Sequence, residues 1–266
     1  MRRLTTSLLG ICLLVSAFLF TNGCERAFME RTYRIGRDTT FAPLNFLGKE
    51  KNLVGFIDDL IYSIAYIENF GVDLGTSPRG RMEENLRRGI YDGVITLEAP
   101  TSRLAQMYEF SDPFYDLGPV LIVPIDSDAE SLDDMRSKVI GIERTASIIY
   151  NVPEIPDIIF TPFENILFAF RNLSEGHIDG VIMDAFPASE YLETFYKGML
   201  KVIPPPLTEH GLRLMTLKTP NGNDLVKRFN DGLKKMREES EYNAILEKWR
   251  LTDLSTYTGV PQTPAQ

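Results

Sequence analysis

Gly89-Ile90-Tyr91-Asp92-Gly93-Val94-Ile95-Thr96 is answered, much later in the chain, by Gly176-His177-Ile178-Asp179-Gly180-Val181-Ile182-Met183. Eight aligned positions carry five identities. Both segments have one physical order: an apolar helix ends, a glycine and a turn follow, then Asp-Gly-Val-Ile continues as a buried strand. Glycine is the common way out of any helix, so the first identity has a plain reading as C-cap chemistry. The shared Asp-Gly-Val-Ile run asks for more, and implies two lobes of similar α/β design built on one repeated unit.

Outward from the first copy, Thr32-Tyr33-Arg34-Ile35-Gly36 reads as a strand closed by a glycine turn. Phe56, Leu60, Ile64 and Ile67 recur at helical spacing, and a short strand near Val72–Leu74 and a helix near Met82–Arg88 follow. Between the copies lies Gly118-Pro119-Val120-Leu121-Ile122-Val123-Pro124, an uninterrupted apolar strand. After the second copy, and after Pro204-Pro205-Pro206, comes Gly211-Leu212-Arg213-Leu214-Met215-Thr216-Leu217. These two strands are expected to cross between the lobes as a two-strand hinge. The first lobe is then discontinuous, residues 32–119 plus 212–252, and the second takes 120–211. Leu225, Phe229, Leu233 and Met236 form one helical stripe, and Tyr242, Ile245, Leu246 and Trp249 another. Both would pack back on the first lobe. Residues 253–266 are expected to be a flexible tail.

The N-terminus has another character. Arg2 and Arg3 precede an almost wholly apolar run, Leu8 to Phe20, too short to span a bilayer and suited to a signal-peptide core. Gly23-Cys24 closes it, so residues 1–23 read as an export signal and 24–31 as a tether. Thr21 and Asn22 depart from the usual lipoprotein box, which leaves plain cleavage and soluble release as the alternative. Cysteine usage favours acylation of Cys24, with palmitate among the acyl groups. Of two cysteines, Cys12 lies in the apolar run, so the exported chain keeps one and forms no internal disulfide. The expected place is the periplasmic or cell-surface side of a membrane, held by lipid on Cys24.

Net charge is −9, and no basic stripe exists, which speaks against nucleic-acid binding. His177 and His210 stand in no metal-ligand spacing. Neither a phosphate-binding glycine loop nor a Gly-x-Ser-x-Gly elbow is present. Neither metal nor cofactor is expected, and no catalytic residue set is indicated.

What remains is polar groups at strand ends, where open α/β sheets bind ligands. Asp38, Phe41, the run Thr96 to Arg103, Glu143, Ser147 and Asp184 fall there. A zwitterion would find an arginine fork in Arg103, a helix start near Ser147, a carboxylate in Asp184 and an aromatic face in Phe41. Each has an ordinary alternative. Arg103 could be a solvated first-turn residue, Asp184 and Ser147 helix caps, Asp38 an Asx-turn, and Phe41 and Phe56 core.

With these residues in place, the chain from Tyr33 to Leu251 resembles the family 3 periplasmic solute-binding proteins, the polar amino acid receptors of ABC transporters. The likeness rests on Arg34-Ile35-Gly36 with Asp38 and Phe41-Ala42-Pro43, on Leu53-Val54-Gly55-Phe56 with Asp59-Leu60, on Tyr91-Asp92-Gly93-Val94-Ile95, on Phe110-Ser111-Asp112-Pro113-Phe114-Tyr115, and on Tyr242 to Trp249. It implies a two-lobed type II periplasmic binding fold that closes on a small amino acid and delivers it to ABC permease subunits as a monomer. It further implies that Phe41 and Phe56 flank the ligand, that Asp38 meets its side chain or amine, that Asp184 holds its ammonium, that Ser147 meets its carboxylate and that Thr96 donates to it. The chain departs from the pattern in one place that matters: counted without gaps from Asp92 to Phe110, the position of the family's arginine holds Leu104, not Arg103. Thr145-Ala146-Ser147 and Gly55-Phe56-Ile57-Asp58-Asp59-Leu60 also depart from it. Glu98, Glu143 and Asp38 lean towards a cationic or amide-bearing amino acid. The readings kept beside transport are a dehydratase on the same fold, of the cyclohexadienyl or arogenate kind, with Glu98 or Glu143 as its acid, and a sensing module that delivers nothing.

Overall fold

The computed structural model describes residues 31–39, 48–143 and 156–254. In chain order these form β1 (Thr32–Arg37), α1 (Glu50–Ile67), β2 (Gly71–Thr76), α2 (Arg79–Arg87), β3 (Gly93–Thr96), β4 (Tyr108–Phe110), β5 (Tyr115–Asp116), β6 (Pro119–Pro124), β7 (Val139–Glu143), β8 (Ile159–Phe163), α3 (Ile166–Ser174), β9 (Gly180–Asp184), α4 (Ala185–Phe195), β10 (Leu200–Ile203), β11 (Gly211–Leu217), α5 (Pro220–Glu238) and α6 (Glu241–Lys248). Short 3₁₀ turns lie at Leu104–Gln106 and Leu132–Met135. Two sheets result: β2-β1-β3-β11-β4, with β5 also on β11, and β10-β6-β9-β7-β8.

The repeated segment is a structural repeat. Gly89 and Gly176 take left-handed backbone, φ +69° and +73°, which only glycine adopts without a Cβ penalty. Each ends its helix in the same paired turn. Gly89 N–H donates to Leu86 and Ile90 N–H to Asn85; Gly176 N–H donates to Leu173 and His177 N–H to Asn172. The aspartates then do one job twice. Asp92 N–H donates to the Arg34 carbonyl while its carboxylate accepts from Arg34 N–H at 2.8 Å. Asp179 N–H donates to the Val139 carbonyl while its carboxylate accepts from Val139 N–H at 2.9 Å.

From those clamps the strands run in one register. Ile35 pairs Gly93 in the first sheet, and Ile140 pairs Gly180 in the second. Both new strands are parallel to the earlier one, and each is flanked on its other side by an antiparallel strand, β11 on β3 and β6 on β9. The residue before each aspartate covers a glycine of the neighbouring strand. A Cβ on Gly36 would lie 2.5 Å from the Tyr91 ring, and one on Gly141 would lie 2.9 Å from Ile178 Cδ1. Gly36 is therefore a seat for Tyr91 inside β1 and not the turn expected there; the strand continues to Arg37.

The antiparallel strands tie the lobes. The strands expected to cross each stay within one sheet, β6 in the second and β11 in the first. The crossing lies just outside them. β5 pairs β11 at Gly211–Asp116 and Leu212–Tyr115, Leu117 N–H donates to the His210 carbonyl, and Leu207 N–H donates to the Pro119 carbonyl. Two short segments, Leu117–Gly118 and 204–210, thus connect the sheets, and the antiparallel ladder between them is the hinge. His210 contributes its carbonyl there, and its side chain is exposed.

α5 and α6 return to the first lobe as their stripes require. Leu225, Phe229, Leu233 and Met236 join Leu60, Ile64 and Leu214 in one core. Other residues of the resemblance turn out to be architectural. Gly55 leaves room for Trp249, whose ring lies 2.2 Å from where a Cβ would stand, and Asp59 accepts from Trp249 Nε1 at 2.7 Å. Ser111 Oγ, fully enclosed, accepts from Leu214 N–H and donates to the Asp112 carbonyl.

If the carboxylate clamp starts the parallel pairing, removing it exposes its strand to the loss of a charged hydrogen bond. Asp92→Ala and Asp179→Ala should each destabilise by about 1–2 kcal/mol. Urea unfolding with separate probes in the two lobes checks it: each variant should weaken its own lobe first.

Candidate functional site

At the carboxyl ends of β1 and β3 the first sheet opens into a cavity of about 670 Å³. β1 and β3 are parallel neighbours, so both chains leave the sheet at this edge, the place where open α/β sheets bind ligands. Asp38, one residue beyond β1, lines it and is only 6 % exposed. Thr96 closes β3 on its rim, with a hydroxyl that accepts from Glu98 N–H at 3.0 Å. Ile95, Leu97, Leu104, Leu212 and Met215 supply the apolar part of the wall.

The opposite wall comes from α2. Arg79, Gly80, Met82 and Glu83 face the cavity. Tyr108 donates from its hydroxyl to Glu83 at 2.8 Å. Burial first, and then that carboxylate, push the Tyr108 phenol up from its ordinary value. Arg79 stands 4.0 Å from Glu98, with the two side chains 40 % and 58 % exposed. Three carboxylates, Asp38, Glu83 and Glu98, therefore share the wall with one guanidinium among the described lining residues.

The expected residues separate into groups. Asp38 and Thr96 come together in the cavity, beside the hinge residue Leu212. Asp184 ends β9 in the second lobe, exposed, opposite Pro119 of β6. Its neighbour Ala185 donates to the Gly118 carbonyl, so Asp184 stands at the crossing. It caps α4 by position, although its side chain makes no capping bond. Glu143 ends β7, the next strand of that sheet. Phe41, Ser147, Cys24, the segments 1–30 and the tail beyond 254 lie outside the described residues.

Two of the expected residues stand outside the described lining. Phe56 does not line the cavity. It is wholly buried under α1, its ring 5.5 Å from Tyr115 and 5.8 Å from Tyr242, because the helix stripe that carries it faces the core. Arg103 is exposed and outside the lining, while Leu104 is in it. The 3₁₀ turn explains the swap: at about three residues per turn, successive side chains point a third of a turn apart, so a wall-facing Leu104 turns Arg103 to solvent.

Sequence reasoning missed Arg79, Glu83 and Tyr108. The available signal was the end of β2. The sequence pattern places the strand near Val72–Leu74; the strand runs to Thr76, parallel to β1, and so opens on the same cavity. Among the described residues no group of three or more acidic, histidine or cysteine side chains could hold a metal ion, and no helix is long and apolar enough to cross a membrane.

Residues 33–252 match the family described as bacterial extracellular solute-binding proteins, family 3. A protein of Neisseria gonorrhoeae named "Probable histidine-binding protein" is 28 % identical over 226 residues, covering 82 % of this chain and 83 % of its own length. The ABC transporter arginine-binding protein 1 of Escherichia coli (strain K12) is 25 % identical over 237 residues, 86 % of this chain and 94 % of its own. In three dimensions the chain is similar to the L-cystine solute receptor of Neisseria gonorrhoeae in its unliganded open conformation. The TM-score is 0.61 at 17 % identity, over 87 % of this chain and 98 % of that one. That likeness establishes the two-lobed type II periplasmic binding fold.

Phe56→Ala tests the corrected placement. Loss of a fully buried ring should destabilise the protein by about 3–5 kcal/mol, read from chemical denaturation. A wall residue of an open cavity would lose far less.

Proposed function

The chain belongs to the family 3 bacterial extracellular solute-binding proteins, and on that premise we propose that it captures a small polar amino acid between its lobes and delivers it to the permease of an ABC transporter. One observation carries the reading: a polar cavity at the strand ends of the first lobe, beside a hinge of two short segments. Such a hinge lets the second lobe close over the cavity and lets ligand shift the population towards the closed state.

The charge of the wall supports a basic amino acid. Three carboxylates line the described wall with the one guanidinium of Arg79, and Arg87, outside the lining, pairs with Glu83 at 3.7 Å; the wall is acidic in balance, which suits an α-ammonium and a cationic side chain. Relatives named for histidine and arginine agree with this. In our reading Asp38 and Thr96 hold the ligand from the first lobe, and Asp184 closes on its ammonium from the second. Phe41, Glu143 and Ser147 complete the site. The lobes are assigned to 32–119 with 212–252, and to 120–211. The relatives are named as binding proteins, and this chain is read as a binder, not a catalyst. It acts outside the cytoplasmic membrane as a monomer, residues 1–23 directing export and Cys24 carrying the lipid.

A thermal-shift panel of the common amino acids tests the reading. Because only folded protein binds, a ligand at a hundred times its dissociation constant should add about 2.7 kcal/mol. Arginine or histidine should give the largest rise in Tm; a flat panel sinks the proposal. Asp184→Asn should weaken that ligand at least about tenfold, measured by calorimetry, with Tm of the free protein little changed.

A further inference from the structure

We infer that Arg79 receives the carboxylate of the ligand, an inference that rests on the amino acid reading of the same cavity. An amino acid brings a carboxylate into a wall that already holds Asp38, Glu83 and Glu98. Without a cationic partner, like charges would repel it. Arg103 faces solvent outside the lining, and Leu104 presents methyl groups where that charge is required. Arg79 is the described lining residue that carries a guanidinium, and a guanidinium fork matches a carboxylate with two parallel hydrogen bonds.

Its present engagement does not stand in the way. The Arg79–Glu98 contact is 4.0 Å long between side chains 40 % and 58 % exposed, so it is weak and screened. An incoming carboxylate displaces Glu98 from Arg79. Glu98 is then released towards the positive end of the ligand, so one exchange both seats the carboxylate and frees an acidic group for the ammonium or a basic side chain. Arg79 opens α2 directly after Pro78, which carries no side-chain acceptor to compete for it. Glu83, one turn further on, is engaged elsewhere, by the Tyr108 hydroxyl at 2.8 Å and by Arg87 at 3.7 Å.

The experiment compares ligands that differ only at the carboxylate. Calorimetric titrations of L-arginine against L-argininamide, and of L-histidine against L-histidinamide, are run on the wild-type protein and on Arg79→Ala, Arg79→Lys and Arg103→Ala. The wild type should prefer the amino acid to its amide. Arg79→Ala should weaken the amino acid by at least about tenfold and the amide hardly at all, erasing the preference. Arg79→Lys should recover part of it, and Arg103→Ala should behave as wild type. Arg79 is partly exposed, so the Tm of the free variants should match that of the wild type. An Arg79→Ala protein that keeps the preference, equal losses for acid and amide, or a loss of preference in Arg103→Ala each overturns the assignment alone. A wild type that binds no amino acid overturns the functional reading and the assignment together.

Discussion

A carboxylate bonded to the backbone of the strand beside it sets the register of both lobes. Asp92 takes the N–H of Arg34 and returns its own N–H to the same residue; Asp179 does this with Val139. A parallel pair has no hairpin to align it, so something else must choose where pairing begins. Here the paired bonds choose it, and the glycine that follows each aspartate enters the strand in contact with the neighbouring core. A Cβ on Gly93 would lie 2.8 Å from Leu214 Cδ1 and one on Gly180 would lie 3.0 Å from Met135 Cε. A slip of one residue would turn every apolar side chain of the strand to the wrong face. Everything that opens at the far ends of these strands inherits its position from the clamp.

The second constraint is that the two sheets exchange little beyond their crossing segments. The ladder around Leu117 and His210 supplies main-chain bonds. Around it, each lobe lends a side chain to the other's core: Phe186 of α4 packs in the first, and Leu254, just past the last helix, in the second. Leu251 stays in the first core, so the stretch 251–254 bridges the two. It is anchored by the Tyr115 hydroxyl on the Thr252 carbonyl and by the buried Tyr242 hydroxyl on Asp253. Lys49 adds an ion pair to Glu190 of α4.

At the cavity, architecture and charge work against each other in a useful way. Strand ends bring Asp38 and Thr96 together without any sequence proximity to α2, yet α2 supplies the guanidinium and a second acid. Among the described lining residues the carboxylates outnumber the one guanidinium, that of Arg79. Glu83 is held by the Tyr108 hydroxyl at 2.8 Å and by Arg87 at 3.7 Å.

The repeated Gly-x-x-Asp-Gly-Val-Ile carries the two-lobed α/β plan in the sequence itself, because each of its residues is read locally: a left-handed glycine, a turn carboxylate, a buried strand. Helical stripes such as Leu225, Phe229, Leu233 and Met236 were equally plain, since periodicity reports one face of one element. The site was only half legible. Asp38 and Thr96 follow from the rule about strand ends, but Arg79 required knowing that β2 lies parallel beside β1 and ends at the same height. Phe56 and Arg103 looked right by type and spacing, and the fold turned one into the core and the other to solvent. Residue type is written in the chain, whereas the direction in which a side chain points depends on helix rotation and turn geometry set by packing against elements distant in sequence.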